Sequence, residues 1–281
     1  MSRSFQLVVA LFAFAANSFF CRYALADGSI DPGSFTLVRL VSGAVTLSSR
    51  LLVEGKLKAS LFRDRLSWWS GAALFGYAVC FSFAYTALTT GSGALILFGM
   101  VQLSLVAFHV RSGQSLSGLE ILGVTLALSG FALLMMPSAQ MPSLSAALLM
   151  AVAGGCWAAF TLIGRQSTSA SVAITHGFIL ASVLAVIASP FLLSFEEITW
   201  PGIGWGMLSG ILASGFGYIV WYQVVKKITV LQASVAQLAV PVIAFIAGGI
   251  GLGEWVSLMA IISSAFVLGG IALIFVGNAQ Q

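Results

Sequence analysis

Long apolar runs dominate this sequence, and they restrict it to folds whose surface faces something other than water. About 20 apolar residues are needed to cross the hydrocarbon core of a bilayer as an α-helix. Measured by that length, the chain contains ten predicted spans, at residues 5–24, 35–53, 67–88, 91–110, 118–136, 144–164, 171–194, 203–224, 230–250 and 256–277. The breaks between them are short and rich in Gly and Pro, so none could hold a soluble domain. The predicted fold class is therefore an all-α membrane protein with ten transmembrane helices.

The charge content excludes most other classes of protein. Only 7% of the 281 residues are charged, whereas a soluble domain carries about 25%. Soluble enzymes, nucleic-acid-binding modules and secreted disulfide scaffolds are therefore excluded. The basic pI of about 9.2 does not indicate nucleic acid, because the basic residues stand singly at the ends of apolar runs. The three cysteines lie inside apolar runs at no disulfide or metal spacing, and no phosphate-binding loop occurs, so no cofactor is predicted.

The positions of the basic residues predict an orientation in the membrane. With the N-terminus inside, ten of the 12 Lys and Arg residues fall in cytoplasmic segments, as the positive-inside rule requires. This distribution predicts a multi-pass membrane protein with both termini in the cytoplasm. Arg3 followed by an apolar run could also begin a secretory signal peptide. A counterpart of this run inside the chain favours a membrane span.

That counterpart belongs to an internal repeat. Shifting the chain by about 140 positions brings similar segments together, namely 128–133 on 268–273, Gly113 on Gly253, and 14–22 on 157–165. The repeat divides the chain into two five-helix halves, residues 1–140 and 141–281. Because five is odd, the second half enters the membrane from the opposite side. Such inverted repeats are typical of transporters, with the ligand site near the midplane between the halves.

Several short motifs stand at matching places in a known family. They are Phe35 to Arg39 at the start of the second span, Tyr85 to Leu88 after the third, Pro241 in the ninth, Gly253-Glu254 before the tenth, and Gly130 and Gly270. In order and spacing the chain resembles the drug/metabolite transporter superfamily, built from two EamA-type five-helix repeats. Its length and aromatic content look like the YddG group, which implies export of aromatic amino acids and related metabolites. Gln114 departs from the family, which usually has Glu there.

Aromatic residues deep in the spans are candidates for contact with a solute. In the third span, Tyr77, Phe81 and Tyr85 recur every fourth residue and therefore share one helical face. Trp157 lies deep in the sixth span, and a ridge of small residues in the eighth leads through Ser214 to Tyr218. We predict that these six residues line a substrate site. The alternative is that they pack in the core or mark the membrane interface.

Three amides lie inside predicted spans, where an unpaired polar group is costly. Asn17, Gln102 and Gln237 must therefore face the interior of the bundle. They would either hold helices together or contact a zwitterionic solute, and we include all three among the predicted substrate-binding residues.

Two arginines and one proline are candidate gate or hinge residues. Arg22 and Arg39 are predicted near the outer ends of the first two spans. There they would reach the membrane surface, pair with Asp27 or Asp31, or form an external gate. Pro241 frees a backbone carbonyl inside the ninth span and is predicted to act as a hinge.

These features together predict a carrier rather than an enzyme. The resemblance implies export of amino acids, aromatic ones in particular, across the inner membrane of a bacterium, and we expect this to proceed by alternating access as a monomer in the lipid bilayer. Because no acidic residue lies mid-span, transport is expected to be uncoupled facilitated transport or exchange. The alternatives are a carrier of nucleosides, sugars or drug-like solutes, an oligomeric small-subunit transporter or assembly factor, and an enzyme acting on lipid-linked substrates. The enzyme would need a catalytic constellation that the sequence does not offer.

Overall fold

A computed structural model describes residues 3–55, 62, 64–113, 115–134, 142–166, 169–194, 198–225, 237 and 239–278. Within these ranges the chain is helical, apart from short connections and a bridge between Ile30 and Ile198. The elements are α1 (Arg3–Ala26), α2 (Pro32–Val53), α3 (Arg65–Ala84), α4 (Thr90–Arg111), α5 (Gly118–Leu134), α6 (Leu144–Arg165), α7 (Ala170–Leu192), α8 (Trp200–Leu208), the π-helix π1 (Ser209–Phe216), α9 (Gly217–Val225), α10 (Ala239–Leu252) and α11 (Leu258–Asn278).

The described helices confirm the predicted all-α membrane class. Seven of them are long and apolar enough to cross a bilayer, and the continuous segment Trp200–Trp221 counts as one of the seven. Three more apolar helices are shorter: Gly118–Leu134, Ala239–Leu252 and Leu258–Ile274. The predicted ninth span, 230–250, begins outside the described residues and continues as α10. Ten complete spans stay a prediction.

Asp64 caps the N-terminus of α3. Asp64 accepts hydrogen bonds from the backbone N–H of Leu66 at 3.1 Å and of Ser67 at 3.0 Å, and from the Ser67 hydroxyl at 2.6 Å. An N-terminal cap of this kind supplies acceptors for N–H groups that have no partner within the helix. The hydrogen bond from Ser67 is the main cause that lowers the pKa of Asp64 below its ordinary value.

This cap predicts a pH-dependent stability. Replacing Asp64 by Ala should lower the free energy of unfolding by about 1 kcal/mol at neutral pH. Because the folded pKa is lowered, the contribution is present above the unfolded pKa and is lost as the pH falls through the folded one. Thermal unfolding in detergent between pH 7 and pH 3 would measure this. Asp64→Asn is the control, since it keeps the capping oxygen but should show no such titration.

The largest contacts between helices recur when the two halves are exchanged. The second helices α2 and α7 pack together, as do the fourth, α4 and α10, and the fifth, α5 and α11. The contact of α1 with the α8–π1–α9 segment corresponds to that of α6 with α3. The repeated positions Gly113 and Gly253 also share a left-handed backbone, with φ of 83° and 64°. An internal repeat is expected to give this pattern, while the opposite orientation of the halves in the membrane stays a prediction.

The last helices of the two halves meet backbone to backbone. A Cβ added to Gly123 would lie 2.5 Å from the carbonyl oxygen of Gly270, and one added to Gly270 would lie 2.6 Å from the Ala127 nitrogen. Both the Gly270 oxygen and the Ala127 nitrogen are backbone atoms of the facing helix, so they cannot move away as the end of a flexible side chain could. The α5–α11 contact therefore requires glycine at both positions.

This contact predicts that Gly270→Ala is destabilising, although alanine is the better helix former. The added methyl forces α5 and α11 apart, and overpacking of this kind costs about 1–3 kcal/mol. The matched control is Gly204→Ala, because an added Cβ there meets no atom within 4 Å. Melting in detergent should place Gly270→Ala several degrees below the wild type and Gly204→Ala level with it or above. Equal melting of the two variants would contradict the proposed contact.

Candidate functional site

A small cavity lined by aromatic rings lies between helices of both halves. Its volume is about 20 Å³, and its lining residues come from α1, α3, α4, α6 and α9: Phe14, Asn17, Ser18, Tyr77, Leu97, Phe98, Trp157 and Tyr218. We call it the ring-lined cavity. Its volume is enough for roughly one water molecule. The structure is therefore closed around this point, and a larger solute requires the lining helices to separate.

The rings of the lining contact one another across the two halves. The Tyr77 centroid lies 4.9 Å from that of Trp157, and Trp157 lies 5.0 Å from Tyr218. Phe14 meets Tyr218 edge to face, with centroids 5.8 Å apart. These separations are typical of favourable aromatic pairs, each contributing about 0.5–1.5 kcal/mol. Phe14 and Trp157 are also matched residues of the sequence repeat.

Asn17 connects the polar edge of the cavity. Its Nδ2 donates to the Tyr77 hydroxyl at 3.2 Å, and its Oδ1 accepts from the Ser209 hydroxyl at 2.6 Å. The side chain is buried, so these bonds satisfy an amide that would otherwise be costly in this setting. Asn17 therefore links α1 to α3 and to π1 while facing the cavity.

Arg39 lies much deeper than its predicted position near the outer end of the second span. It is 1% exposed, and its Nη2 donates to the Tyr77 hydroxyl at 2.9 Å. Its Nε lies 3.4 Å from the Ser214 hydroxyl. Its guanidinium carbon is 5.0 Å from the Tyr77 ring centroid and 4.9 Å from that of Phe81, within cation–π range. Arg39 therefore does not line the cavity itself but is hydrogen-bonded to Tyr77, which does.

The expected pairing of Arg39 with Asp27 or Asp31 is wrong. Asp31 instead caps α2, where its Oδ1 accepts from the Ser34 nitrogen at 2.9 Å. Because α2 begins at Pro32, Arg39 lies two turns inside the helix, about 12 Å along its axis from Asp31.

The π-helix π1 supplies two of the polar groups around the cavity. Ser209 and Ser214 lie at its beginning and near its end and bond to Asn17 and Arg39 respectively. π-Helical turns are rare and often occur at functional sites. Gly210 lets π1 approach α2, since a Cβ there would collide with the Arg39 carbonyl. The sequence does not single out Ser209, because a regular helix through this segment does not place it beside Asn17.

Arg22 forms an ion pair that ties four segments together at one end of the bundle. Its Nε lies 2.9 Å from Oε1 of Glu254, and its Nη1 donates to the carbonyls of Tyr85 at 3.0 Å and Thr86 at 3.1 Å. Glu254 Oε2 accepts from the Thr90 nitrogen at 2.7 Å. We call this arrangement the Arg22–Glu254 latch. The predicted pairing of Arg22 with Asp27 or Asp31 is therefore wrong, since its partner comes from the other half.

A second, larger cavity lies beside the latch. Its volume is about 350 Å³, and its lining includes Ser92, Phe245, Glu254 and Trp255. Trp255 is 88% exposed, so this space is open to the surroundings of the protein. It resembles an entrance beside the latch more than an enclosed binding site.

The remaining predicted site residues lie outside the lining of the ring-lined cavity. Tyr85 is buried and donates to the Thr90 carbonyl at 3.2 Å. Gln102 is buried on α4, Gln237 is half-buried, and Pro241 is buried on α10. Phe81 lies behind the lining, with its ring centroid 5.2 Å from that of Tyr77, and Ser214 lies behind it beside Arg39. Conversely, Phe14, Ser18, Leu97 and Phe98 line the cavity but were not predicted. Phe14 aligns with Trp157 in the sequence repeat, which could have selected it, whereas nothing in an apolar helical run distinguishes the other three.

Comparison with known proteins identifies the family. Residues 144–276 match the EamA-like transporter family. An uncharacterized protein of Pseudomonas aeruginosa is 41% identical over 270 residues, covering 95% of this chain and 92% of that protein. The chain belongs to the EamA-like transporter family. As an EamA-like protein it is a membrane transporter of small molecules, which agrees with the resemblance to the drug/metabolite transporter superfamily.

Other relatives of this EamA-like transporter carry names that agree. The uncharacterized transporter YoaV of Bacillus subtilis is 24% identical, covering 86% of each chain. An uncharacterized transporter of Archaeoglobus fulgidus is 28% identical, covering 84% of this chain and 90% of that one. A solved crystal structure with 18% identity has a TM-score of 0.68 and covers 97% of this chain and 98% of its own, which shows the same fold. The names indicate a transporter rather than an enzyme.

Proposed function

We propose that this EamA-like transporter exports aromatic amino acids and related small metabolites from a bacterial cell by alternating access. The observation that carries the proposal is the ring-lined cavity, whose aromatic walls come from both halves of the chain. Ligand sites of inverted-repeat transporters lie between the halves, where rocking of one against the other exposes the site in turn to each side. The resemblance to the YddG exporter group suggests the same class of solute.

The contacts between the aromatic rings around the closed cavity give a physical reason for aromatic selectivity. Tyr77 of the first half contacts Trp157 of the second, and Trp157 contacts Tyr218. Opening the cavity separates these rings and loses their pairing energy. A solute with an aromatic ring restores comparable contacts when it enters, whereas an aliphatic solute of similar size restores fewer. Substrate binding therefore offsets part of the cost of opening.

The proposed transport needs no proton gradient. The eight described residues that line the cavity include no Asp, Glu or His. Proton relays in membranes usually run through such groups. We propose a monomer in the inner membrane, with both termini in the cytoplasm, that moves its solute down the solute's own gradient or in exchange.

Proteoliposomes test this proposal directly. Vesicles preloaded with unlabelled phenylalanine should take up labelled phenylalanine by counterflow, without an imposed proton gradient. Excess tryptophan should compete, while uridine and glucose should not. Absence of counterflow would reject the substrate class, and competition by uridine or glucose alone would favour another class of metabolite. Counterflow that requires a proton gradient would reject the uncoupled mechanism.

A further inference from the structure

Arg39 carries a buried charge without an acidic partner in the described part of the chain. The ion pairs found there are Arg22–Glu254 and Arg50–Glu54, and neither includes Arg39. Its partners are neutral: two hydroxyls and the faces of two rings. Burying a cation is expensive unless an opposite charge offsets the lost hydration. Such residues inside membranes usually mark a substrate or ion pathway.

The guanidinium also has unused hydrogen-bonding capacity. Arginine has five N–H donors, and Arg39 uses Nε and Nη2 toward Ser214 and Tyr77. Its Nη1 is buried and makes no hydrogen bond. A buried donor without a partner costs free energy, and a planar guanidinium fits the two oxygens of a carboxylate in a bidentate pair.

We propose that Arg39 recognises the carboxylate of the transported solute, an inference that rests on the proposed function and names the group the solute must carry. The Tyr77 hydroxyl accepts bonds from both Arg39 and Asn17, so it stands between the guanidinium and the cavity. Separation of the lining helices moves Tyr77 with α3 and opens Arg39 to the solute. The solute's ring then occupies the space between Trp157 and Tyr218, and its carboxylate pairs with Arg39.

A purely structural role for Arg39 gives a different expectation. In that case its bonds to Tyr77 and Ser214 would only hold α2 against α3 and π1. Its loss would lower stability, and binding would weaken equally for solutes with and without a carboxylate. Discrimination between a carboxylate and its amide therefore separates the two roles.

Ligand-induced shifts in melting temperature in detergent provide this measurement, because a ligand that binds only the folded state stabilises it by mass action. The probes are two matched pairs: phenylalanine with phenylalaninamide, and leucine with leucinamide. The wild type should bind phenylalanine at least tenfold more tightly than phenylalaninamide. Arg39→Gln should lose this preference and Arg39→Lys should keep part of it. Arg50→Gln, which removes a partly exposed arginine from the same helix, should leave this preference unchanged.

The outcomes separate the inference from the proposed function. Equal binding of phenylalanine and its amide by the wild type, or a preference that survives in Arg39→Gln, would overturn the role of Arg39. So would a wild type that binds neither amino acid. If leucine and phenylalanine bind with similar affinity, and each binds more tightly than its amide, the proposed aromatic selectivity is wrong while the carboxylate site is supported. If Arg39→Gln does not fold, the wild-type pairs and Arg39→Lys decide the question.

Discussion

Replacing Trp157 by Leu should weaken the binding of an aromatic amino acid by about ten- to a hundredfold. The Trp157 ring contacts Tyr77 at 4.9 Å, Tyr218 at 5.0 Å and Phe160 at 5.5 Å. In the proposed bound state, the solute's ring takes over part of these contacts, each worth about 0.5–1.5 kcal/mol. Losing two of them costs about 1–3 kcal/mol, and a ten- to hundredfold loss of affinity corresponds to about 1.4–2.8 kcal/mol within that range. Phenylalanine counterflow as a function of concentration would measure the change.

The matched control for this substitution is Trp69→Leu. Trp69 lies on α3 with 58% of its surface exposed, so its ring faces away from the bundle. The same change in side chain should leave phenylalanine affinity within a factor of about two. If both variants lose affinity alike, or if Trp157→Leu transports as the wild type does, Trp157 does not line the substrate site.

Glu254→Gln should open the end of the bundle that the charge distribution predicts to be external. The latch joins Glu254 to Arg22 and to the Thr90 nitrogen, and its two charged side chains are 12% and 19% exposed. Removing one partner of a fully buried pair costs about 3–5 kcal/mol, and we expect about 1–3 kcal/mol for this part-exposed one. The closed state should lose that amount relative to the open one.

Cysteine labelling would detect this shift. Ser92 lines the larger cavity beside the latch and is 7% exposed, so a Ser92→Cys variant should react slowly while the latch is closed. Adding Glu254→Gln should raise its alkylation rate at least tenfold in a background without the native cysteines, Cys21, Cys80 and Cys156. The matched control is Glu54→Gln, which breaks an exposed pair with Arg50 of similar length, 3.0 Å. An equal labelling rate with and without Glu254→Gln would show that the latch does not hold this end of the bundle closed around Ser92.

A double variant strengthens the test. Exchanging the charges, Arg22→Glu with Glu254→Arg, should restore slow labelling only in part. The reversed pair regains the attraction but places a carboxylate where Arg22 now donates to the Tyr85 and Thr86 carbonyls. Full restoration would mean that the attraction alone closes this end.

The sequence predicted the helices well because apolar length and glycine or proline breaks are local properties. It also selected Asn17, Tyr77, Trp157 and Tyr218, which line one cavity, because polar and aromatic groups deep in a span must face the interior. It misplaced Arg39, since the second span was predicted to start at residue 35 and α2 begins three residues earlier. An error of about one helical turn in the start of this helix is enough to place Arg39 at the membrane surface instead of inside the bundle.

Other features depend on contacts that one sequence cannot reveal. The partner of Arg22 is 232 residues away in the other half, and several acids were predicted on the same side of the membrane. Asp31 was a plausible partner, but its carboxylate caps α2. The π-helix turns Ser209 toward α1 and Ser214 toward α2. A regular α-helix through the same residues would not place both side chains in these directions.

The claim that the solute binds among the rings shared by the two halves is tested most directly by photolabelling. Membranes containing the protein would be irradiated with 4-azidophenylalanine, and the modified residues identified by mass spectrometry. We predict adducts on α1, α3, α6 or α9 around Trp157, suppressed by excess phenylalanine. Saturable adducts confined to the larger cavity near Trp255, with none around Trp157, would contradict the account.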